Sequence, residues 1–240
     1  MGTLKKNVDA FNSDVAANDG YMYTTKASLS SVLANKRMTD AALAMIDDNA
    51  VTLIDIGAGD GTYSNDLYQQ RPNLKITGFD PASEAIKVAA VKYPKIDFFV
   101  GDILTTSTFP KKKFDVGVIR GVLHHLNNPK QAIANSILMS DRIVIIEPNG
   151  NNPILKIIEK VSPYHRLHEE RSFSSGQLKQ WCVESGFEVE RIDFIGFVPF
   201  FFPTFLTKII YFFQPMMEKI YPLKKYFGAQ IVISCKKAKA

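Results

Sequence analysis

Cysteine is scarce in this chain: Cys182 and Cys235 are the two among 240 residues. So far apart, they suggest no disulfide framework and no zinc-ligand spacing, which fits a reducing compartment. There is no Arg-rich helix, no aromatic RNA-binding signature, no internal repeat and no low-complexity linker. The net charge of +5 and isoelectric point near 9.0 are modest, and the charges are spread along the chain. That argues for a mildly basic soluble enzyme and against a nucleic-acid partner. The first eighteen residues are polar and carry no apolar signal region, so a cytoplasmic location is expected. An unbroken membrane span is also missing. Phe194 to Phe213 approaches the required length, but Pro199 and Pro203 disfavour one helix and Lys208 is costly in hydrocarbon.

What is present is an ordinary soluble composition, with 46% apolar and 22% charged residues. The length suits a single α/β domain with additions. Apolar, β-branched runs of strand length lie at Val51–Ile56, Lys75–Asp80, Ile96–Val100, Phe114–Ile119 and Arg142–Glu147. Continuous runs of this kind belong to a sheet covered on both faces. Helical patterns fall between them at Thr62–Gln70, Ser83–Lys92 and Pro129–Met139, with another at Ser174–Ser185. Alternation of strand and helix predicts a doubly wound parallel sheet. Two further strands, Phe187–Phe194 and Ala229–Cys235, form an edge pair. Between them the sequence suggests an apolar insertion without a regular crossover helix. Thr39 to Asp47 reads as helical cover ahead of the sheet.

The strongest chemical signal is Asp55-Ile-Gly-Ala-Gly-Asp-Gly61, after a strand and before a helix. Glycine lets the backbone turn sharply and approach a ligand, and the following helix offers unpaired N–H groups. The pattern alone suits a dinucleotide, a nucleoside or nothing. Asp80 ends the next strand about 20 residues on, where an acid can accept from a ribose diol. Asp102 follows the third strand. All three acids fall at carboxyl ends of strands, where open α/β sheets bind ligands. Asp55 and Asp60 flank the turn and would repel a pyrophosphate, whereas a cationic, phosphate-free nucleoside would suit them.

With Phe79-Asp-Pro81, Gly101-Asp-Ile103 and Phe114-Asp-Val-Gly-Val-Ile-Arg-Gly-Val-Leu-His-His-Leu126, this segment resembles the class I S-adenosylmethionine-dependent methyltransferases. It is most similar to the small-molecule group of the ubiquinone and menaquinone C-methyltransferases. The resemblance spans about Val51 to Glu147. It implies a Rossmann-like, doubly wound, seven-stranded, mostly parallel sheet with an antiparallel edge strand. It also implies one methyltransferase domain: an N-terminal helical cover (1–48), a cofactor-binding core (49–150), acceptor-side helices with the apolar insertion (151–228), and the last strand and tail (229–240).

By position, the resemblance gives S-adenosylmethionine as cofactor. Gly57, Ala58, Gly59 and Asp60 would hold its methionine part, and Asp55 would orient the loop or the amino group. Asp80, beside Pro81, would take both ribose hydroxyls. Asp102 would accept from the adenine amino group, with Ile103 against the ring. Arg120 and Gly121, just past the fourth strand, would close over the cofactor by main-chain contacts, with Tyr23 and Arg37 covering from the N-terminal side. Helix capping is the alternative for Asp80 and Asp102, a surface or core-edge ion pair for Arg120, and packing for Tyr23.

His124-His125 lies near the expected methyl group as a candidate base, with a structural role as the alternative. His165, His168 and Phe200 are candidate acceptor contacts, and no metal is expected. The fourth strand lacks the Asn-Pro-Pro-Tyr usual for amino-methylation of adenine or glutamine, which argues against a nucleic-acid substrate. The expected reaction is methyl transfer to oxygen or carbon of a small metabolite, an apolar, lipid-linked or sugar-linked one included. RNA or protein methylation, and a non-catalytic nucleotide-binding module, are the alternatives. Aromatics and Lys219, Lys224 and Lys225 in the insertion suggest a lid, a homodimer face or peripheral contact with the inner membrane face.

Overall fold

The computed structural model describes residues 9, 12–15, 17–18, 20–25, 27–161, 171–200 and 202–239. Its centre is a seven-stranded sheet in the order β3-β2-β1-β4-β5-β7-β6. The strands are β1 (Thr52–Ile56), β2 (Lys75–Asp80), β3 (Asp97–Val100), β4 (Val116–Arg120), β5 (Arg142–Pro148), β6 (Phe187–Ile195) and β7 (Gln230–Lys237). The first five pair in parallel. β7 runs antiparallel between β5 and the outermost strand β6.

The continuous apolar runs are explained by the two faces. Ile54, Ile119, Ile143 and Ile145 enter one core, and Leu53, Val118, Val144 and Ile146 enter the other. Each is essentially buried, and burying one such side chain contributes about 1.5–3 kcal/mol. The first face is covered by α5 (Pro129–Ser136) and α7 (Ser175–Glu184), through Ile133, Leu178 and Cys182. The other is covered by α2 (Leu29–Leu43) and α3 (Thr62–Gln70), through Met38, Ala42 and Leu67.

The helix starts follow capping chemistry. The Ser28 side chain accepts from the Ser31 N–H, and the Ser174 side chain accepts from the Gln177 N–H. Asn128 caps α5, whose first residue is Pro129. Two expectations are corrected. The N-terminal cover helix runs over Leu29–Leu43, earlier than the 39–47 pattern, because Ser28 supplies the cap. The insertion does contain regular helices, α8 (Thr204–Met217) and α9 (Tyr221–Phe227). Pro203 sets the start of α8 and Pro222 lies in the first turn of α9, so the prolines place the helices rather than abolish them. No helix among the described residues is long and apolar enough to cross a membrane.

Two shorter elements complete the site region: α1 (Met22–Thr25) and α4 (Ser83–Lys92). α6 (Pro153–Val161) follows β5, and the Asn152 carboxamide oxygen accepts from the Ile154 and Leu155 N–H groups at its start. A cavity of about 410 Å³ opens at the amino ends of β4 and β5, lined by Asn49, Asp115, Asp141 and Arg142. It lies at the end of the strands opposite the glycine loop.

Candidate active site

The glycine loop leaves β1 and turns through left-handed backbone at Gly57 (φ 81°), Gly59 (φ 56°) and Gly61 (φ 76°) before entering α3. Its start is pinned to the next strand: the Gly57 and Ala58 N–H groups both donate to the Phe79 carbonyl, at 2.8 and 3.1 Å. Asp80, at the end of β2, accepts the Gly59 N–H at 3.0 Å and the Ala82 N–H at 2.8 Å. It therefore caps the turn into α4 and braces the glycine loop at once. Burial raises its pKa to about 6, with Asp55 and Asp102 adding to the rise and the two N–H bonds opposing it.

Asp55 is buried and takes the Ser64 hydroxyl. Its pKa is raised by desolvation, against the pull of that hydrogen bond and of Arg120. Asp60 is buried too, and the structure gives it an anchoring task. One oxygen accepts the Tyr21 N–H at 3.0 Å and the Thr24 hydroxyl, and the other accepts the Thr62 N–H at 3.1 Å. Tyr21 consequently lies over the loop, 5% exposed, packed with Val15, Ala82 and Ala85. Burial, with Asp80, Asp60 and Asp14 nearby, drives its phenol pKa strongly upward. Sequence reasoning chose Tyr23, whose side chain lies outside the described residues, and missed Tyr21.

Asp102 turns its carboxylate onto its own loop, accepting from the Leu104 N–H at 2.9 Å and the Thr105 hydroxyl at 3.1 Å. Ile103 is buried, and its carbonyl takes the Asn135 side-chain amide. Pro81 lies between Asp80 and Ala82, the residue that precedes α4.

Two arginine side chains, of residues expected near the cofactor, have partners within the protein. The Arg120 guanidinium reaches Thr39 Oγ1 at 2.9 Å and Asn35 Oδ1 at 3.0 Å, and it stacks over Tyr63 at 3.9 Å. It ties α2 to the sheet, because those partners are the buried polar groups of that helix. Arg37 makes a two-pronged ion pair with Glu218, at 2.6 and 3.1 Å, and so holds α2 to the end of α8.

At the end of β4, Gly121 turns at φ 66°, and the chain enters a short 3₁₀ turn at Leu123–His125. Glu147, fully buried at the end of β5, organises that turn. One oxygen accepts the Val122 and Leu123 N–H groups, at 2.8 and 2.7 Å. The other accepts His124 Nδ1–H at 2.7 Å. The His125 ring lies 3.9 Å from that of His124. Glu147 escaped the sequence reading, although an acid closing a wholly apolar strand at the ligand edge was a legible signal.

His165 and His168 lie outside the described residues. The Phe200 side chain is 40% exposed, and its carbonyl accepts hydroxyls of Ser28, Ser30 and Ser31 from the start of α2. No cluster of metal-ligating side chains occurs among the described residues.

The residues present fit S-adenosylmethionine. Three buried or part-buried carboxylates, Asp55, Asp60 and Asp80, lie in or beside the glycine loop, which suits a cationic ligand with a diol and disfavours a phosphate. Residues 53–138 match the family model described as "Methyltransferase domain". A methyltransferase from Thermotoga maritima, described as a possible histamine N-methyltransferase, has the same fold (TM-score 0.63, 15% identity, 87% of this chain and 91% of that one). So does magnesium protoporphyrin IX methyltransferase from Synechocystis PCC 6803 with bound SAH (TM-score 0.59, 14% identity, 88% of each chain). A plantazolicin methyltransferase in complex with SAH matches over 99% of this chain and 100% of its own, with TM-score 0.59 and 17% identity. At these identities the likeness is one of fold.

Proposed function

We propose that this chain, a class I S-adenosylmethionine-dependent methyltransferase, methylates an oxygen or carbon of a small metabolite and uses His124, held by Glu147, as the base. S-adenosylmethionine supplies a methyl group already activated on a sulfonium. What the protein adds is alignment, exclusion of water and removal of the acceptor's proton.

The carrying observation is the 2.7 Å bond from His124 Nδ1 to a carboxylate with no solvent exposure. A buried acceptor on Nδ1 fixes the tautomer, so Nε2 is the proton-accepting atom of the neutral ring, and it stabilises the cation that forms. The same carboxylate holds the Val122 and Leu123 main chain, so the ring is braced through its own loop. A base of this kind serves a hydroxyl or an activated C–H; an amine acceptor needs it less. The porphyrin and plantazolicin named for structurally similar methyltransferases support a compact acceptor over a nucleic acid.

In this reading Asp80 takes the ribose hydroxyls, and Asp102 and Ile103 border the adenine. Gly57, Ala58 and Gly59 pass close to the methionine part, and Gly121 borders it. Asp55 braces the loop through Ser64. Asp60, Arg120 and Arg37 act on the cover rather than on the ligand. The test is turnover on a panel of phenol, alcohol and activated C–H acceptors, read as release of S-adenosylhomocysteine. His124→Gln should lose turnover by about 10²- to 10⁴-fold and leave cofactor affinity unchanged. Unchanged turnover on every acceptor that the wild type accepts would remove the base assignment.

A further inference from the structure

The long helix of the insertion is built inside out. On α8 the buried residues are polar: Thr207, which donates to the Phe202 carbonyl at 3.3 Å, and Gln214, which accepts the Phe197 N–H at 3.0 Å. Phe205, Phe212 and Met216 point away from the protein, at 73%, 79% and 58% exposure. A second apolar strip stands on α6, where Ile154, Ile157 and Val161 are exposed along one helical face. α6 packs beside α9, which adds exposed Tyr226 and Phe227. Exposed apolar strips of this extent mark a contact surface.

The charges around it select the occupant. Between residues 197 and 229 the charged side chains are Lys208, Glu218, Lys219, Lys224 and Lys225. The single carboxylate, Glu218, is turned inward onto Arg37, and Lys224 pairs with Asp193. Lys208 and Lys219 are exposed, and Lys225 lies over the rings of Tyr221 and Tyr226, at 5.9 and 5.3 Å. An apolar face rimmed by lysines and tyrosines complements an anionic bilayer surface, where aromatics enter the interface and cations meet head groups. A symmetric second copy would offer those lysines no outward carboxylate, since Glu218 is held by Arg37. Since no described helix is long and apolar enough to span, the helices would lie in the interface plane.

We infer that α8 and α9, flanked by α6, dock this protein on an anionic lipid bilayer. The inference goes beyond the reading of the cofactor site and does not depend on it. The test is flotation of the full chain with phosphatidylcholine vesicles, with and without phosphatidylglycerol. Binding is expected with the anionic vesicles and is about tenfold or more weaker without the anionic lipid. The double variants F205S/F212S and K208E/K219E should each lose binding by a similar factor. Their circular dichroism melts should be unchanged, since only exposed positions are altered. Hydrogen exchange of the wild-type chain provides a measurement free of any variant: slowing at residues 204–227 on adding anionic vesicles is expected. Absence of flotation and of that slowing overturns the inference, as does equal binding by a folded F205S/F212S. A solution dimer that F205S/F212S dissolves, without vesicle binding, assigns the face to a second copy and overturns it too.

Discussion

The ring of Tyr21 rests on the α-carbon of Gly59. A Cβ at residue 59 would stand 2.5 Å from Tyr21 Cε2, and the Tyr21 main chain is fastened to Asp60, the next residue of the loop. The N-terminal cover and the glycine loop therefore form one contact, in which the absence of a side chain on one residue makes room for the ring of the other.

Gly59→Ala should cost stability by about 1–3 kcal/mol, from left-handed backbone and the encroached ring together. In a Tyr21→Ala background the ring is gone, and the penalty should fall to the left-handed backbone part, about 1 kcal/mol. Urea denaturation of the wild type, the two single variants and the double variant measures the coupling. An equal penalty in both backgrounds would mean that the cover yields freely.

The pH behaviour of Asp80 has opposite signs for folding and for ligand binding. Its folded pKa of about 6 lies above the unfolded value of about 3.9. The folded chain thus holds the extra proton between those values. The stability contributed is fully present below the unfolded pKa and is lost as pH rises through about 6. Asp80→Asn should flatten that dependence in thermal melts. Cofactor affinity should do the reverse, falling as pH drops below about 6 because the carboxylate that would accept the ribose hydroxyls becomes protonated. Calorimetry across this window checks both.

His124 and Glu147 should behave as a unit. Glu147→Gln and His124→Gln are each expected to lower kcat by about 10²-fold or more, and the double variant should be little worse than either single one. Multiplicative losses would mean that the two act separately. Cofactor affinity is the control, and it should change least in His124→Gln, because Glu147 also carries two main-chain N–H groups.

Arg37 discriminates a cover-fastening role from a cofactor-contacting one. Glu218 accepts both its guanidinium and the Gly196 N–H, at 2.9 Å. Arg37→Ala and Glu218→Ala should each lower the melting temperature, with a coupling of about 1.5–3 kcal/mol, as for a charge-assisted bond shielded from water. S-adenosylmethionine affinity should stay level in Arg37→Ala. A selective loss of affinity there would restore the cofactor role.

Much of the core was legible because its signals are local. Thr62–Gln70 and Ser83–Lys92 occupy the residues that their patterns mark, and β2 does the same. The insertion was harder. Phe194 to Phe213 has a composition that reads equally as a core, a lid or a contact surface, and side-chain direction is set by what α8 packs against. Its inward Thr207 and outward Phe212 reverse the polarity that composition suggests.

The sequence by itself determined the alternation of strands and helices, the glycine loop between β1 and α3, and acids at strand ends. Each follows from backbone preference and hydrophobic period within a few residues. Only the tertiary structure decided which partner each charged group takes. Glu147 meets His124 across neighbouring strand ends, Arg37 meets Glu218 over 181 residues of chain, and Asp60 reaches back to Tyr21. A carboxylate's task depends on the donors that folding brings within about 3 Å, and sequence spacing does not encode that distance.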